Sequence, residues 1–416
     1  MPAVSTKAAL SNMFKDRYFE GDLSRHGDVK TPLGDIITKR DDFYGNSLIF
    51  PFNFAGNESI GPTLDAVNPA PQSSYFDKWT VTDYTTMYAR LSIHTPSAMR
   101  AGKDVGSYLR LKAKETQGLL RSMKERRLGH QVWGDGASDI GQLAANTTGA
   151  SPTVALTVQG DSVKFKKGMK LQANAVRTGS AATMRTDVYM VVKRELLSSA
   201  GTTKLTLSRV SGAADDWAAN DYVYPYGFYD SAMKGVRAWI TDATPGTGGV
   251  PATLFGMDRT DEPEMKAGWR GIWQGSIHET ILHLTAVMGQ YFDPNFSSIW
   301  LSNYNWFRLS QELRSLGMLC YDDEASLKFG TKVITFAGPS GDIKVVADPF
   351  CPNTDVFCLR HGDIEIITLG PLIHICDEDL EALRLSDDDG LEIRYRSLAE
   401  MVMPYPFHCG RAPIAA

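Results

Sequence analysis

The stretch KDVGSYLRLKAKETQGLLRSMKERRL, residues 103–128, limits the possible folds more than any other part of the chain. Val105, Leu109, Ala113, Thr116, Leu120 and Met123 fall on one stripe at helical spacing, which predicts an amphipathic helix. About 25 residues at 1.5 Å each make a rod of about 38 Å, longer than a small domain is wide. Such a rod acts as a strut to which other parts are attached. Its cations (Lys103, Arg110, Lys112, Lys114, Arg121, Lys124, Arg126 and Arg127) outnumber the acids Asp104, Glu115 and Glu125. A charge run of this kind is usually a solvated face. The sharper alternative is a face turned toward an anionic interior.

The helix runs into WGDGASDIG, residues 133–141, whose glycines suggest a phosphate-binding loop. The context excludes it. A dinucleotide fingerprint or P-loop follows a strand and opens a helix, whereas this segment follows a helix. Asp139 stands where G-x-G-x-x-G needs its third glycine, and no Lys-Ser or Lys-Thr pair follows. The segment reads as a glycine-stopped helix end and a turn.

On the N-terminal side, residues 1–45 are polar, broken by Gly21, Gly27 and Gly34, and without helical or strand period. They are expected to form an extended arm that lies on a surface, with small apolar groups such as Phe14, Tyr18 and Phe19. Residues 46–82 open on a period-2 aromatic run, Leu48, Phe50, Phe52 and Phe54, and pass through Gly56, Gly61, Pro62, Pro69 and Pro71. A second strand pattern runs from Trp79 to Ile93. Two arms joined by such a tip predict a projecting hairpin, hazardous for a monomer but suited to clasping a neighbour.

After the turn the texture changes. Residues 151–226 hold five or six short β-branched runs between Gly, Ser, Asn and Asp clusters, which predicts an inserted β-barrel or sandwich. Residues 227–345 return to mixed α/β. Ser276 and Glu279 form a capping box ahead of Ile277, Ile281, Leu284 and Met288. SNYNWFRLSQELRSLG predicts a second helix capped by Ser302 or Asn303, carrying Trp306, Leu309, Leu313 and Leu316 on one face and stopped by Gly317. Strand candidates follow, and a last extended run covers Leu391 to Met403.

The 416 residues, 43% hydrophobic and 22% charged, suffice for two or three domains without disulfides. A net charge of −5 excludes a globally basic nucleic-acid binder but allows a local basic surface. Five cysteines with no C-x-x-C pair fit a reducing compartment, and no apolar run reaches signal-peptide or membrane length. The expected setting is a cytoplasm.

No residues for catalysis stand out. His278 and His283 in HETILH are five apart, so they miss the i, i+4 spacing of a zinc helix, and Glu279 is explained by the capping box. SDDDG, residues 386–390, has its glycine too early and Glu392 too close for a calcium loop. The remaining histidines are scattered, and no nucleophile signature is present. The sequence therefore predicts no enzyme, no cofactor and no metal site.

The order of parts is specific: extended arm, hairpin, basic strut, Gly-Asp-Gly-x-x-x-Ile-Gly turn, α/β domain and returning strands. With SAMKGVRAWI, TLFGMDRT, SSIWLSNYNWFRLSQEL, GDIKVVADPFCP and the ending GRAPIAA, it resembles the major capsid protein of tailed bacteriophages. That shell fold is shared with herpesvirus capsids and encapsulins. The resemblance implies an α+β capsid shell fold with an N-terminal arm over 1–45, an extended hairpin loop over 46–82 and a peripheral domain over 83–150. It also implies an inserted all-β domain over 151–226, an axial domain over 227–345, and return strands over 346–416. The strands after 345 would close the peripheral domain. The insert departs from the minimal family pattern, and its role and facing stay open.

By the same resemblance, pentamers and hexamers of the chain would form an icosahedral shell around double-stranded DNA, assembled in the host bacterial cytoplasm and carried in the virion. Portal, scaffolding and decoration proteins would be further partners, and no membrane is involved. The chain begins at Met1, so use without cleavage is expected, with separate scaffolding or none. Inter-subunit contacts are expected at Phe14, Tyr18, Phe19, Phe52, Phe54, Glu58 and Lys78, and DNA contact, non-specific, at Arg110, Lys114, Arg121 and Lys124. Some family members crosslink through Lys and Asn; Lys78 lies near the loop, but no bond is assigned. Two alternatives stand beside this reading. One is an encapsulin-like compartment for protein cargo; the other is a soluble α/β enzyme with a β insert.

Overall fold

The computed structural model describes residues 30–41, 45–57, 59–67, 75–94, 111–147, 149, 152–156, 164–179, 181–196, 203–212, 216–291, 298–317, 320–322, 333–338, 341–376, 383–384 and 390–415. Its centre is the strand Gly390–Val402. That strand pairs antiparallel with Thr85–His94 from Gly390 opposite His94 to Ala399 opposite Thr85. It also pairs with Glu365–Thr368, from Glu365 opposite Val402 to Thr368 opposite Ala399. Thr38–Arg40 joins the far edge in parallel. One sheet thus brings residues 38–40 and 85–94 together with residues 365–368 and 390–402.

The strut lies on this sheet. Leu111–Lys124 is α-helical, and Met123 packs with Met87, Leu91, Ile393 and Tyr395 of the two long strands. Residues 103–110 lie outside the described residues. The helix does not stop at 128. It passes into a seven-residue π-helical segment, Glu125–Gln131. There Arg127 is wholly buried. Its guanidinium donates to Gln131 Oε1 at 2.7 Å, Thr85 O at 2.7 Å, Ser397 O at 2.8 Å and Ser397 Oγ at 3.2 Å. Burial lowers its pKa to about 10, so it stays charged at neutral pH. Four oxygens offset the desolvation of one buried cation, and the strut is thereby fixed to the sheet. Glu400, buried on the same strand, accepts from Thr85 Oγ1 and, at 2.8 Å, from the Lys234 backbone N–H. Burial pushes its carboxyl up.

WGDGASDIG is a turn. Gly134 N–H donates to Gln131 O at 3.0 Å, and Gly136 has φ +96°, a region open to glycine. The acids of the turn are structural. Arg177 pairs with Asp135 at 2.5 Å and Asp139 at 2.9 Å, tying the turn to the next sheet.

That sheet is antiparallel and six-stranded, in the order Gly141–Gln142, Tyr222–Pro225, Lys170–Asn174, Val188–Leu196, Thr203–Ser211 and Thr153–Leu156. It takes in Gly141–Gln142, ahead of the boundary at 151 expected from the sequence. Its order does not close among the described residues. Phe165, Leu171, Ala173, Tyr189, Val191, Leu205, Leu207, Trp217 and Val223 give it a core of its own.

A seven-stranded mixed sheet completes the molecule, in the order Trp269–Arg270, Gly410–Pro413, Asp355–Leu359, Ser298–Leu301, Gly341–Ala347, Val333–Gly338 and Cys320–Asp322. Ile299, Leu301, Val345, Val356 and Cys358 face the helices Ile277–Tyr291 and Asn303–Ser315. Trp300, Val346, Phe357 and Leu359 face the central core. With both faces covered, these strands read as unbroken apolar runs. Both helix caps have their expected geometry: Glu279 N–H donates to Ser276 Oγ at 3.1 Å, and Asn305 N–H to Ser302 Oγ at 3.2 Å. Leu316 stands outside the expected apolar face, 57% exposed.

Two expectations are corrected here. Asp355–Leu359 and Gly410–Pro413, placed by sequence with the unit around the strut, pair with each other in the seven-stranded sheet, where Asp355–Leu359 also pairs with Ser298–Leu301 and Gly410–Pro413 with Trp269–Arg270. The end of the expected extended arm is also folded into the body rather than lying on a surface. Pro32–Ile36 is a short helix, with Leu33 and Ile37 buried in the central core. Asp348 accepts from the N–H groups of Leu33 at 3.3 Å and Phe350 at 2.8 Å.

Candidate assembly surfaces

The hairpin is built from Leu48–Ala55 and Tyr75–Val81, with Leu48 opposite Val81 and Asn53 opposite Phe76. Strand periodicity gives it two different faces. One holds Phe52, Trp79 and Val81, all wholly buried. Phe52 lies 6.1 Å from Trp79 and 6.1 Å from Phe407 between ring centres, and Trp79 meets Trp239 edge-on at 4.8 Å. Phe52 is therefore a core residue that anchors the hairpin, and its expected role in contacting neighbours is corrected. Its side chain is enclosed by its own chain.

Phe54 is half-buried near the hairpin's far end. The ammonium of Lys266 sits 4.4 Å from the centre of its ring. Lys266, itself 1% exposed, also reaches Asp77 at 3.3 Å, Asp261 at 2.9 Å and the carbonyl of Asp258 at 3.1 Å. One cation thus holds both strands of the hairpin to the body.

The other face carries Ile49, Phe76 and Lys78, all exposed, with Phe76 at 70%. Beyond the strands, Ile60 and Leu64 are 83% and 90% exposed. Aliphatic and aromatic groups this bare, on an element whose other face is buried in the core, form an exposed apolar surface. Sequence reasoning misses Phe76, although a signal exists. With Trp79 and Val81 inward, period 2 puts residues 76 and 78 outward.

The other expected contact residues, Phe14, Tyr18, Phe19 and Glu58, lie outside the described residues, as does Arg110. Lys114 is in the helix, but its side chain is likewise outside them. Arg121 and Lys124 are exposed on the strut, and Lys124 pairs with Asp35 at 2.9 Å, which joins the end of the arm to the strut. Further bare apolar groups stand on separate elements: Tyr88 on Thr85–His94, Tyr304 and Phe307 on the second helix, and Ile272 in a loop. The chain therefore presents several distinct apolar surfaces.

Among the described residues no three His, Cys, Asp or Glu side chains converge as a metal site. No described helix is long and apolar enough to cross a membrane.

No protein-family model matches the sequence, and no curated protein does. Solved structures do match in shape. The capsid asymmetric unit of cyanophage A-1(L) aligns over 98% of this chain and 98% of its own, with a TM-score of 0.54 and 10% identity. The capsid of a native GTA particle aligns over 100% of both chains, with a TM-score of 0.50 and 8% identity. The chain has the α+β fold of these phage capsid structures.

Proposed function

We propose that this chain is a major capsid protein, a structural rather than catalytic component that assembles through pentamers and hexamers into an icosahedral shell around double-stranded DNA. The observation that carries the reading is the outward face of the hairpin. On a capsid fold, Ile49, Phe76, Ile60 and Leu64 are bared on an element whose opposite face is locked into the core. A second copy of the chain is the partner such a face fits, because identical subunits repeat one modest contact many times and multivalency makes the sum durable.

In this reading residues 1–45 form the arm and 46–82 the loop that reaches over a neighbour, with Phe54 and Lys78 at or beside the contact. The strut and the sheet of Gly390–Val402 form the peripheral domain, the seven-stranded sheet with its two helices forms the axial domain, and the sheet from Gly141 to Pro225 is the insert. Phe14, Tyr18, Phe19 and Glu58 are proposed as further contacts, and Arg110, Lys114, Arg121 and Lys124 as DNA-facing. The shell would be assembled in a bacterial host cytoplasm and carried in the virion, with portal, scaffolding and decoration proteins as partners.

The test is negative-stain electron microscopy beside size-exclusion chromatography in low and high salt, with the nucleic-acid content of any particles measured. Closed polyhedra, or rings of five and six, support the proposal, and DNA inside separates a genome shell from a compartment for protein cargo. A monodisperse monomer under all conditions removes it.

A further inference from the structure

The six-stranded sheet and the strut meet along a groove of about 350 Å³. Its lining includes Arg126, Lys164, Lys166 and Lys167, against one carboxylate among the described lining residues, Glu125, which Lys166 already pairs with. We propose that this groove is a binding site for the phosphate backbone of duplex nucleic acid, formed jointly by the strut and the inserted sheet. It deepens the shell reading and rests on it for the choice of polyanion.

The cations are held by structure. Phe165 is buried in the core of the six-stranded sheet, and Lys164 and Lys166 on either side of it line the groove. Lys166 and Lys167 then enter a tight turn, in which Met169 N–H donates to Lys166 O at 3.1 Å and Gly168 takes φ +85°. A glycine at the third position of such a turn leaves Lys167 at its corner, exposed. From the opposite wall, the π-helical segment divides its side chains. Arg127 and Gln131 face the central strand, while Arg126 and His130 line the groove. Arg126 sits 4.8 Å over the Phe228 ring. His130 reports the local field: burial first, then Lys164, Arg126 and Lys166, hold its imidazole well below its usual pKa. A neutral histidine adds no charge of its own, and the cations remain in excess on a chain whose net charge is −5.

An excess of cations in a half-enclosed groove attracts repeating phosphates and gains by counterion release, without reading sequence.

The test uses the full chain and a 30-bp mixed-sequence DNA duplex, read by fluorescence anisotropy from 50 to 200 mM salt. The double variant K164Q/K167Q spares the Lys166–Glu125 pair. It is expected to weaken binding at least tenfold at 50 mM salt and to reduce the slope of log affinity against log salt by about 2, following the per-phosphate rule. K193Q/K204Q removes two exposed lysines elsewhere on the same sheet and should change binding less than twofold. In the wild type, bound duplex should protect Lys164 and Lys167, but not Lys193 and Lys204, from acetylation read by mass spectrometry. Equal loss in both variants, or no protection at Lys164 and Lys167, overturns the site. Polyglutamate of matched charge binding as tightly as the duplex would assign the groove to an acidic protein segment and also overturn it. Particles that form without duplex binding at this groove leave the shell reading intact and remove only this proposal. Binding without particles does the reverse.

Discussion

The ammonium of Lys266 lies 4.4 Å from the centre of the Phe54 ring and 3.3 Å from the Asp77 carboxylate, so one buried cation holds both strands of the hairpin. Asp77 and Asp261 are partly exposed, so solvent screens these pairs, and the buried stem counts with the charge. Lys266→Ala is expected to cost about 2 kcal/mol in urea unfolding and to speed proteolysis within residues 56–74. Unchanged cleavage there contradicts the anchoring role.

The two faces of the hairpin predict opposite phenotypes. Phe52→Ala removes a fully buried ring and should destabilise the monomer by about 3–5 kcal/mol. Phe76→Asp alters an exposed ring, should leave monomer stability within about 0.5 kcal/mol, and should abolish assembly. Thermal melts beside particle counts separate the two. Assembly by Phe76→Asp at wild-type yield contradicts the assignment of that face.

Arg127→Met leaves four oxygens of the strut–sheet junction without their donor and should cost about 3–5 kcal/mol. Arg127→Lys should recover little, since an ammonium cannot reproduce the planar fork. Urea midpoints of the soluble fractions decide this. Near-wild-type stability of the lysine variant contradicts the geometry described.

Burial raises the pKa of Asp348 to about 6. A raised carboxyl contributes stability that is whole below the unfolded value near 4 and is lost as pH rises through about 6. Asp348→Asn should flatten the pH dependence of unfolding across that window, by about 3 kcal/mol. It should also leave residues 31–37 docked, since an amide oxygen still accepts from the Leu33 N–H. Wild-type pH dependence in the variant contradicts this.

What the sequence revealed, and what it hid, follows from how local each signal is. The strut, the capped helices and the WGDGASDIG turn depend on neighbours a few residues apart, and period and caps identify them. Sheet membership is not local. Nothing near Asp355 or Gly410 says that their strands join the sheet of Ser298–Leu301 rather than the strand at 390–402. Gly34 shows the same limit. By sequence it is a break in an unstructured arm, yet a Cβ there would lie 2.3 Å from the Leu128 carbonyl. The glycine serves close approach to the strut. The hairpin's aromatics are visible, but an alternating run does not announce which face is inward; Trp79 against Trp239 decides it. The basic groove is hidden for another reason. Its walls come from residues 126 and 164–167, and only the turn at Gly168 and the π-helical segment bring them together.

If this chain builds a shell, the bared face of the hairpin is covered by another copy of it. A cryo-EM reconstruction of the assembled particles tests that most directly. Closed shells of pentamers and hexamers are expected, with Phe76, Ile60 and Leu64 buried against a neighbouring subunit. Shells in which that face stands in solvent, or a protein that remains a 45.8 kDa monomer, would contradict it.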